Sequence, residues 1–219
     1  MTIQVNQESE PRALAAIRRG RILPILRLRD HGRAVEIAET LGVAGVRALE
    51  ITLGEAAAHQ SIAAVVKAVG DRVPVGAGTV LDREEPRRLA DLGVEFCVSP
   101  HTDPALVEAA LAAGLVPLPG TYTATEVTIA LAAGAPALKL FPAGPAGTGH
   151  LRALLGPFPD LAVVPTGGIA IDEVPAWLEA GAIAVGLGSD LVPSSGSLDG
   201  LQERASRAVR LGSQVAHQA

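Results

Sequence analysis

Eight times along this chain a short aliphatic run gives way to an Ala-rich stretch with helical spacing. The strand windows fall at 21–29, 46–53, 73–79, 96–99, 116–119, 137–141, 162–166 and 183–188. The helical stretches behind them span 31–41, 56–69, 83–92, 103–113, 123–133, 149–155, 172–180 and 198–211, and another, 8–19, precedes the first strand. Parallel strands need crossover connections, and helices over short loops supply them, so the alternation predicts an α/β chain with a parallel sheet. Eight units are the number that closes a ring, and the expected fold is a (β/α)8 barrel with an extra N-terminal helix. An open doubly wound sheet is the alternative; it requires a reversal of strand order that periodicity does not reveal. Six helices run into Gly42, Gly70, Gly93, Gly114, Gly134 and Gly181, which suit left-handed C-caps. No Pro/Ser-rich linker divides the 219 residues, so 1–219 is expected to be one domain, with 1–7 a flexible start.

The remaining composition narrows the function. A net charge of -5, with no Lys/Arg run interleaved with aromatics, argues against a nucleic-acid surface. The start, MTIQVNQESEPRA, has neither a basic n-region nor an apolar h-region, and no apolar run has the length of a membrane span. The one cysteine, Cys97, leaves no internal disulfide and suits a reducing cytoplasm. A cytoplasmic protein with no membrane partner is therefore expected.

Of 18 basic residues only Lys67 and Lys139 are lysines. Lys67, in SIAAVVKAVG, reads as a solvated helix position. Lys139 instead stands in ALKLFPAG, among apolar residues, where a charge is costly. Strand residues alternate between faces, so Lys139 shares one face with Ala137 and Phe141 while Leu138 and Leu140 face the helices. By the same count Glu50 in ALEITL and Arg27 in ILPILRL point inward. Three inward charges near the C-terminal ends of three strands lie where the chemistry of a barrel belongs. One reading is a buried salt bridge. The other is an amine nucleophile, Lys139, with its pKa lowered by burial and by Arg27, attacking a carbonyl while Glu50 moves protons.

Two glycine loops together predict an anion site, the alternative being simple turn chemistry at two βα junctions. PTGGI (165–169) follows the seventh strand and GLGSD (186–190) the eighth, the two loops that commonly hold phosphate in barrels. GAGT (76–79) ends the third strand but lacks the third glycine of a dinucleotide fingerprint, and no Walker pattern is present. His101 in SPHTD and Tyr122 after the fifth strand are placed at the mouth without an assigned role. Glu55 and His59 have i,i+4 spacing but no further ligands, so no metal site is expected from them. Cys97 reads as a buried structural thiol.

Together ILPILR, ALEITL, GAGTVL, CVSP, PLPGTYTATE, ALKLFP, PTGGI and GLGSDLV occur in order between Ile22 and Pro193. In these motifs the chain resembles the class I 2-keto-3-deoxy-6-phosphogluconate (KDPG) and 2-keto-3-deoxy-6-phosphogalactonate (KDPGal) aldolases. The resemblance implies a homotrimeric (β/α)8 barrel without metal or cofactor. By position, Lys139 resembles the Schiff-base lysine and Glu50 the acid–base carboxylate. Thr79, Pro100, Phe141 and Thr166 resemble pocket residues around the pyruvate part, and Gly167, Gly168, Gly188 and Ser189 the phosphate cradle. The implied reaction is reversible cleavage of a 2-keto-3-deoxy-6-phosphosugar acid to pyruvate and glyceraldehyde 3-phosphate, with 4-hydroxy-2-oxoglutarate as a second substrate. A non-catalytic phosphosugar-binding barrel and a phosphosugar isomerase or epimerase are the alternatives; retention of both Lys139 and Glu50 disfavours the first.

The departures from the family pattern are specific. Gly54 stands where some members carry an arginine for the substrate carboxylate, and Arg27 resembles the first-strand arginine of other members, able to take a carboxylate bidentately. Gly144 replaces a frequent Glu, and His101 a frequent Gly. TATE and GLGSDL lean towards the galactonate branch, PTGGI towards the gluconate branch.

Overall fold

The computed structural model describes residues 10–28, 31–54, 57–195 and 197–215, the side chain of His31 excepted. The expected flexible start at 1–7, the end of the first strand window at Arg29, and Glu55 lie outside the described residues. Strands and helices alternate as expected, and every paired strand is parallel.

The strands are β1 (Ile22–Leu26), β2 (Leu49–Thr52), β3 (Val75–Gly78), β4 (Phe96–Val98), β5 (Val116–Leu118), β6 (Gly120–Thr121), β7 (Leu138–Leu140), β8 (Val163–Pro165) and β9 (Val185–Leu187). They form a six-stranded sheet, β5-β4-β3-β2-β1-β9, and a three-stranded sheet, β6-β7-β8. The two sheets meet twice. β5 and β6 follow one another across Pro119, and a parallel bridge joins Thr166, just past β8, to Gly186 of β9. The helices are α1 (Arg12–Gly20), α2 (Ala34–Val43), α3 (Ala58–Val69), α4 (Glu85–Asp91), α5 (Pro104–Ala112), α6 (Ala124–Ala132), α7 (Ala143–Leu155), α8 (Val174–Glu179) and α9 (Leu201–Ser213).

Burial follows the alternation of each strand. Ile22, Leu26, Leu49, Ile51, Leu138, Leu140, Val163, Val185 and Leu187 pack with the helices in one apolar cluster. The intervening residues Leu23, Ala48, Phe96, Val98, Val116, Leu118, Ala137, Val164 and Ala184 form a second cluster with Leu14 and Ile17 of α1. The helix before the first strand is thus part of the strands' inner core. Large and small inner residues interlock: Gly76 leaves the space that the Phe96 ring fills, and a Cβ there would overlap the ring.

Several boundaries differ from the expected ones for local reasons. The first strand starts at Ile22 because Arg21, with φ 62°, closes α1 in a left-handed cap whose N–H reaches Ile17 O. The fifth strand does not end at Pro119; it resumes at Gly120, beside β7. α7 begins six residues early, at Ala143, because two helical pieces run together through Gly147, whose φ is 71°. Of the expected glycine caps, Gly93, Gly114, Gly134 and Gly181 have positive φ, but Gly42 and Gly70 do not. Gly42 lies inside α2 and Gly45 makes the turn instead; Gly70 caps α3 in right-handed conformation. Helix propensity weakly resists a glycine near a helix end, so the hydrogen-bond ladder runs past Gly42 and ends at Gly70 without a left-handed turn.

Candidate active site

The inner charges converge at the strands' C-terminal ends. A cavity of about 420 Å³ opens there, lined by Arg27, Lys139, Phe141, Thr166, Gly167, Gly168, Gly188 and Ser189 together with Ile25, Ile169, Ala170, Asp190, Val192 and Ser194. Eight of the eleven residues expected from the sequence therefore share one space. Lys139 is 7% exposed, between Gly120 of β6 and Val164 of β8 in the strand register. Its Nζ stands 4.9 Å from the centre of the Phe141 ring, whose face favours a cation.

Glu50 is 1% exposed, on β2 between Ile25 of β1 and Gly76 of β3 in the strand register. Its carboxylate needs room that only glycine leaves, because a Cβ at Gly78 would overlap it. Among the described residues Oε1 has no hydrogen-bond partner. Burial pushes the carboxyl pKa up, and the charges of Lys139 and Arg27 pull it partly back. No ion pair within 4.0 Å ties Glu50 to either cation among the described residues, so the buried salt-bridge reading of this cluster is not what the chain builds. A buried carboxyl whose pKa is raised by burial, and which feels the charge of the Lys139 amine, is suited to moving protons.

The two glycine loops form the other end of the cavity. Gly167 and Gly168 have φ of 95° and 73°, a turn L side chains rarely adopt. Gly144 N donates to Gly167 O at 2.7 Å and Ala143 N to Thr166 O at 2.9 Å. Gly188 and Ser189 enter from the β9 side, and Ile171 N donates to Asp190 Oδ2 at 2.7 Å. Gly186 faces Thr166, whose Oγ1 would collide with any Cβ there. Bare backbone turning beside an exposed hydroxyl suits a phosphate or other anion.

Thr79, Pro100 and Glu50 do not line this cavity. Thr79, at the end of β3, has φ 60°. Pro100 lies against β6, where a Cβ at Gly120 would overlap its carbonyl. The other candidates have separate places. His59 Nε2 lies 2.8 Å from Glu85 Oε2, and Arg88 holds the other oxygen of Glu85 at 2.9 Å, joining α3 to α4. Tyr122 stacks on His150 with ring centres 4.6 Å apart, and His101 is exposed. Cys97 is buried, and burial pushes its thiol pKa up to about 12. Gly54 is exposed, with no neighbour near its side-chain direction.

Sequence reasoning passed over Asp190, although it sits in the GLGSD motif, because a carboxylate near an anion site has no obvious use. It also passed over Gly78 and Gly186, whose signal was a glycine at an inward strand position beside a large neighbour.

The family model for KDPG and KHG aldolase matches residues 14–203. The chain is 39% identical over 168 residues to the 2-dehydro-3-deoxy-6-phosphogalactonate aldolase of Escherichia coli (strain K12), covering 76% of this chain and 82% of the relative. It is 34% identical over 180 residues to a 2-dehydro-3-deoxy-phosphogluconate aldolase of Treponema pallidum (strain Nichols), covering 82% and 85%. Among solved structures it resembles the KDPG aldolase of Legionella pneumophila with pyruvate captured as a covalent carbinolamine intermediate. That match has a TM-score of 0.79 at 26% identity, over 94% of this chain and 98% of the other.

Proposed function

The chain belongs to the KDPG and KHG aldolase family, and from that membership we propose that it is a class I aldolase. It cleaves a 2-keto-3-deoxy-6-phosphosugar acid reversibly to pyruvate and glyceraldehyde 3-phosphate, with 4-hydroxy-2-oxoglutarate as a further substrate. The observation that carries the reading is the buried amine of Lys139 in one cavity with the glycine turn at 167–168, its charge acting on the buried acid Glu50. The Lys139 amine adds to the C2 carbonyl, forming a carbinolamine, and loss of water leaves a protonated Schiff base. Glu50 supplies a proton to the departing hydroxyl and, as carboxylate, takes the proton of the C4 hydroxyl. The C3–C4 bond then breaks, its electron pair moves to the iminium nitrogen through an enamine, and the aldehyde leaves. Protonation at C3 and hydrolysis release pyruvate and restore the amine.

Arg27 holds the substrate carboxylate, since Gly54 offers no side chain for that task. Phe141, Thr166, Thr79 and Pro100 surround the pyruvate part; Gly167, Gly168, Gly188 and Ser189 take the phosphate. The two sheets are read as one closed (β/α)8 barrel preceded by α1, supported by the Thr166–Gly186 bridge and the strand continuing across Pro119. The same reading takes residues 1–219 as one domain and the assembly as a cytoplasmic homotrimer. In support of a protein outside the membrane, no helix among the described residues is long and apolar enough to cross one.

The test is pyruvate release from both C4 epimers, followed with a coupled reductase. The galactonate epimer is expected to turn over, in line with the higher identity to a galactonate-type relative. Absence of pyruvate from both epimers and from 4-hydroxy-2-oxoglutarate would refute the reading.

A further inference from the structure

Asp190 is the one carboxylate among the described residues lining the cavity, and it lies beside the loops that take an anion. Like charge there repels a phosphate, so its presence calls for a compensating task. The geometry supplies one. Asp190 Oδ2 accepts the Ile171 N–H at 2.7 Å, tying the loop after β9 to the loop after β8. Ile169 and Ile171 are both buried, so this tether acts on a segment already anchored below the surface.

The same loop is held from its other side. Ala143 N and Gly144 N, two of the N–H groups that the first turn of a helix leaves free, donate to Thr166 O and Gly167 O at 2.9 and 2.7 Å. The approach is so close that a Cβ at residue 144 would overlap Gly168 O and stand 2.8 Å from Gly168 C and 3.0 Å from Gly167 O. All three are backbone atoms, so no side-chain rotation relieves the conflict. The turn at 167–168 is therefore gripped between α7 and the β9 loop.

We propose that Gly144 and Asp190 are positioning residues that fix the 167–168 turn from two sides and thereby set the affinity for the phosphate end of the substrate. The inference rests on the aldolase reading for the identity of the ligand, and it goes beyond that reading in assigning selectivity for the phosphate to residues that do not bind it. Asp190 acts as a hydrogen-bond acceptor, and its charge is incidental to the grip.

The experiment compares Gly144→Ala, Asp190→Ala and Asp190→Asn on two readouts. One is KM for the phosphorylated sugar acid. The other is the pyruvate concentration that half-saturates borohydride-trapped adduct, which involves no phosphate. Gly144→Ala, by displacing the turn, and Asp190→Ala, by removing the hydrogen bond, should each raise that KM by roughly tenfold, on the order of one hydrogen bond to a charged group. The pyruvate readout should stay within about twofold, because trapping pyruvate makes no demand on the turn. Asp190→Asn, which keeps an acceptor oxygen, should restore most of the phosphorylated-substrate KM. The proposal is overturned by an unchanged KM in both alanine variants, by equal shifts in both readouts, or by Asp190→Asn as impaired as Asp190→Ala. A wild-type protein that forms no pyruvate adduct would instead refute the aldolase reading. Calorimetric titration with inorganic phosphate then tests the grip directly: weaker binding in both alanine variants supports it, and unchanged binding overturns it.

Discussion

The Glu50 carboxylate occupies the space beside the Gly78 Cα that a side chain at residue 78 would need. The acid and the glycine are neighbours on paired parallel strands, β2 and β3, and the absence of one side chain positions the other.

Gly78→Ala should therefore displace Glu50 while leaving Lys139 in place. A shift of about 1 Å in a group that moves protons costs on the order of 100-fold in turnover. Steady-state cleavage should fall by about that factor, with Lys139 still reacting with pyruvate. Wild-type kcat in the alanine variant would show that the contact has no bearing on the chemistry.

Glu50 also gives a pH dependence of stability. Burial raises its folded pKa above the unfolded value, so the folded chain binds the proton more tightly. The contribution is fully favourable below the unfolded pKa and is lost as pH rises through the folded one. Glu50→Gln removes that loss, so its Tm should exceed that of the wild type near neutral pH, and the gain should shrink in acid. Cleavage should drop by about 100-fold or more, the usual weight of a general acid–base group. A Tm gain that grows on acidification would contradict the assignment.

Thr79 holds a left-handed conformation, φ 60°, with a β-branched side chain. That costs about 1–2 kcal/mol, more than the extra chain entropy that glycine loses on folding. Thr79→Gly should thus be neutral to stabilising by up to about 1 kcal/mol in denaturant unfolding, yet raise KM for the keto acid. Clear destabilisation would mean that the hydroxyl, and not the backbone, dominates at this position.

Much of this was legible in the chain. Alternation placed Lys139, Glu50 and Arg27 on inner faces because a strand has a period of two, and their neighbours Leu138, Leu140, Leu49 and Ile51 are indeed packed with the helices. The glycine turn at 167–168 was legible because a turn of positive φ favours glycine. What pattern could not supply was contact between distant segments. Nothing local to Gly144 shows that it touches Gly168, nor that Asp190 accepts from Ile171, since both pairs meet only after folding. Helix ends failed for a related reason: Gly42 and Gly70 look like caps in sequence, but the ladder reached past one and ended the other without a left-handed turn.

Cys97 offers a check on the core. With its thiol pKa pushed up to about 12 by burial, almost no thiolate is present near neutral pH. Thiol reagents should label it only after denaturation, with at least about a hundredfold slower reaction in the native state. Rapid native labelling would show that the segment around β4 opens readily.

On the aldolase reading, Lys139 forms the covalent link to substrate. Treating the protein with pyruvate and borohydride, then mapping the adduct by mass spectrometry, reads it directly. One reduced adduct is expected on Lys139, absent from Lys139→Arg and from protein treated without pyruvate. An adduct on Lys67 alone, or active cleavage with Lys139 unmodified under saturating pyruvate, would contradict it.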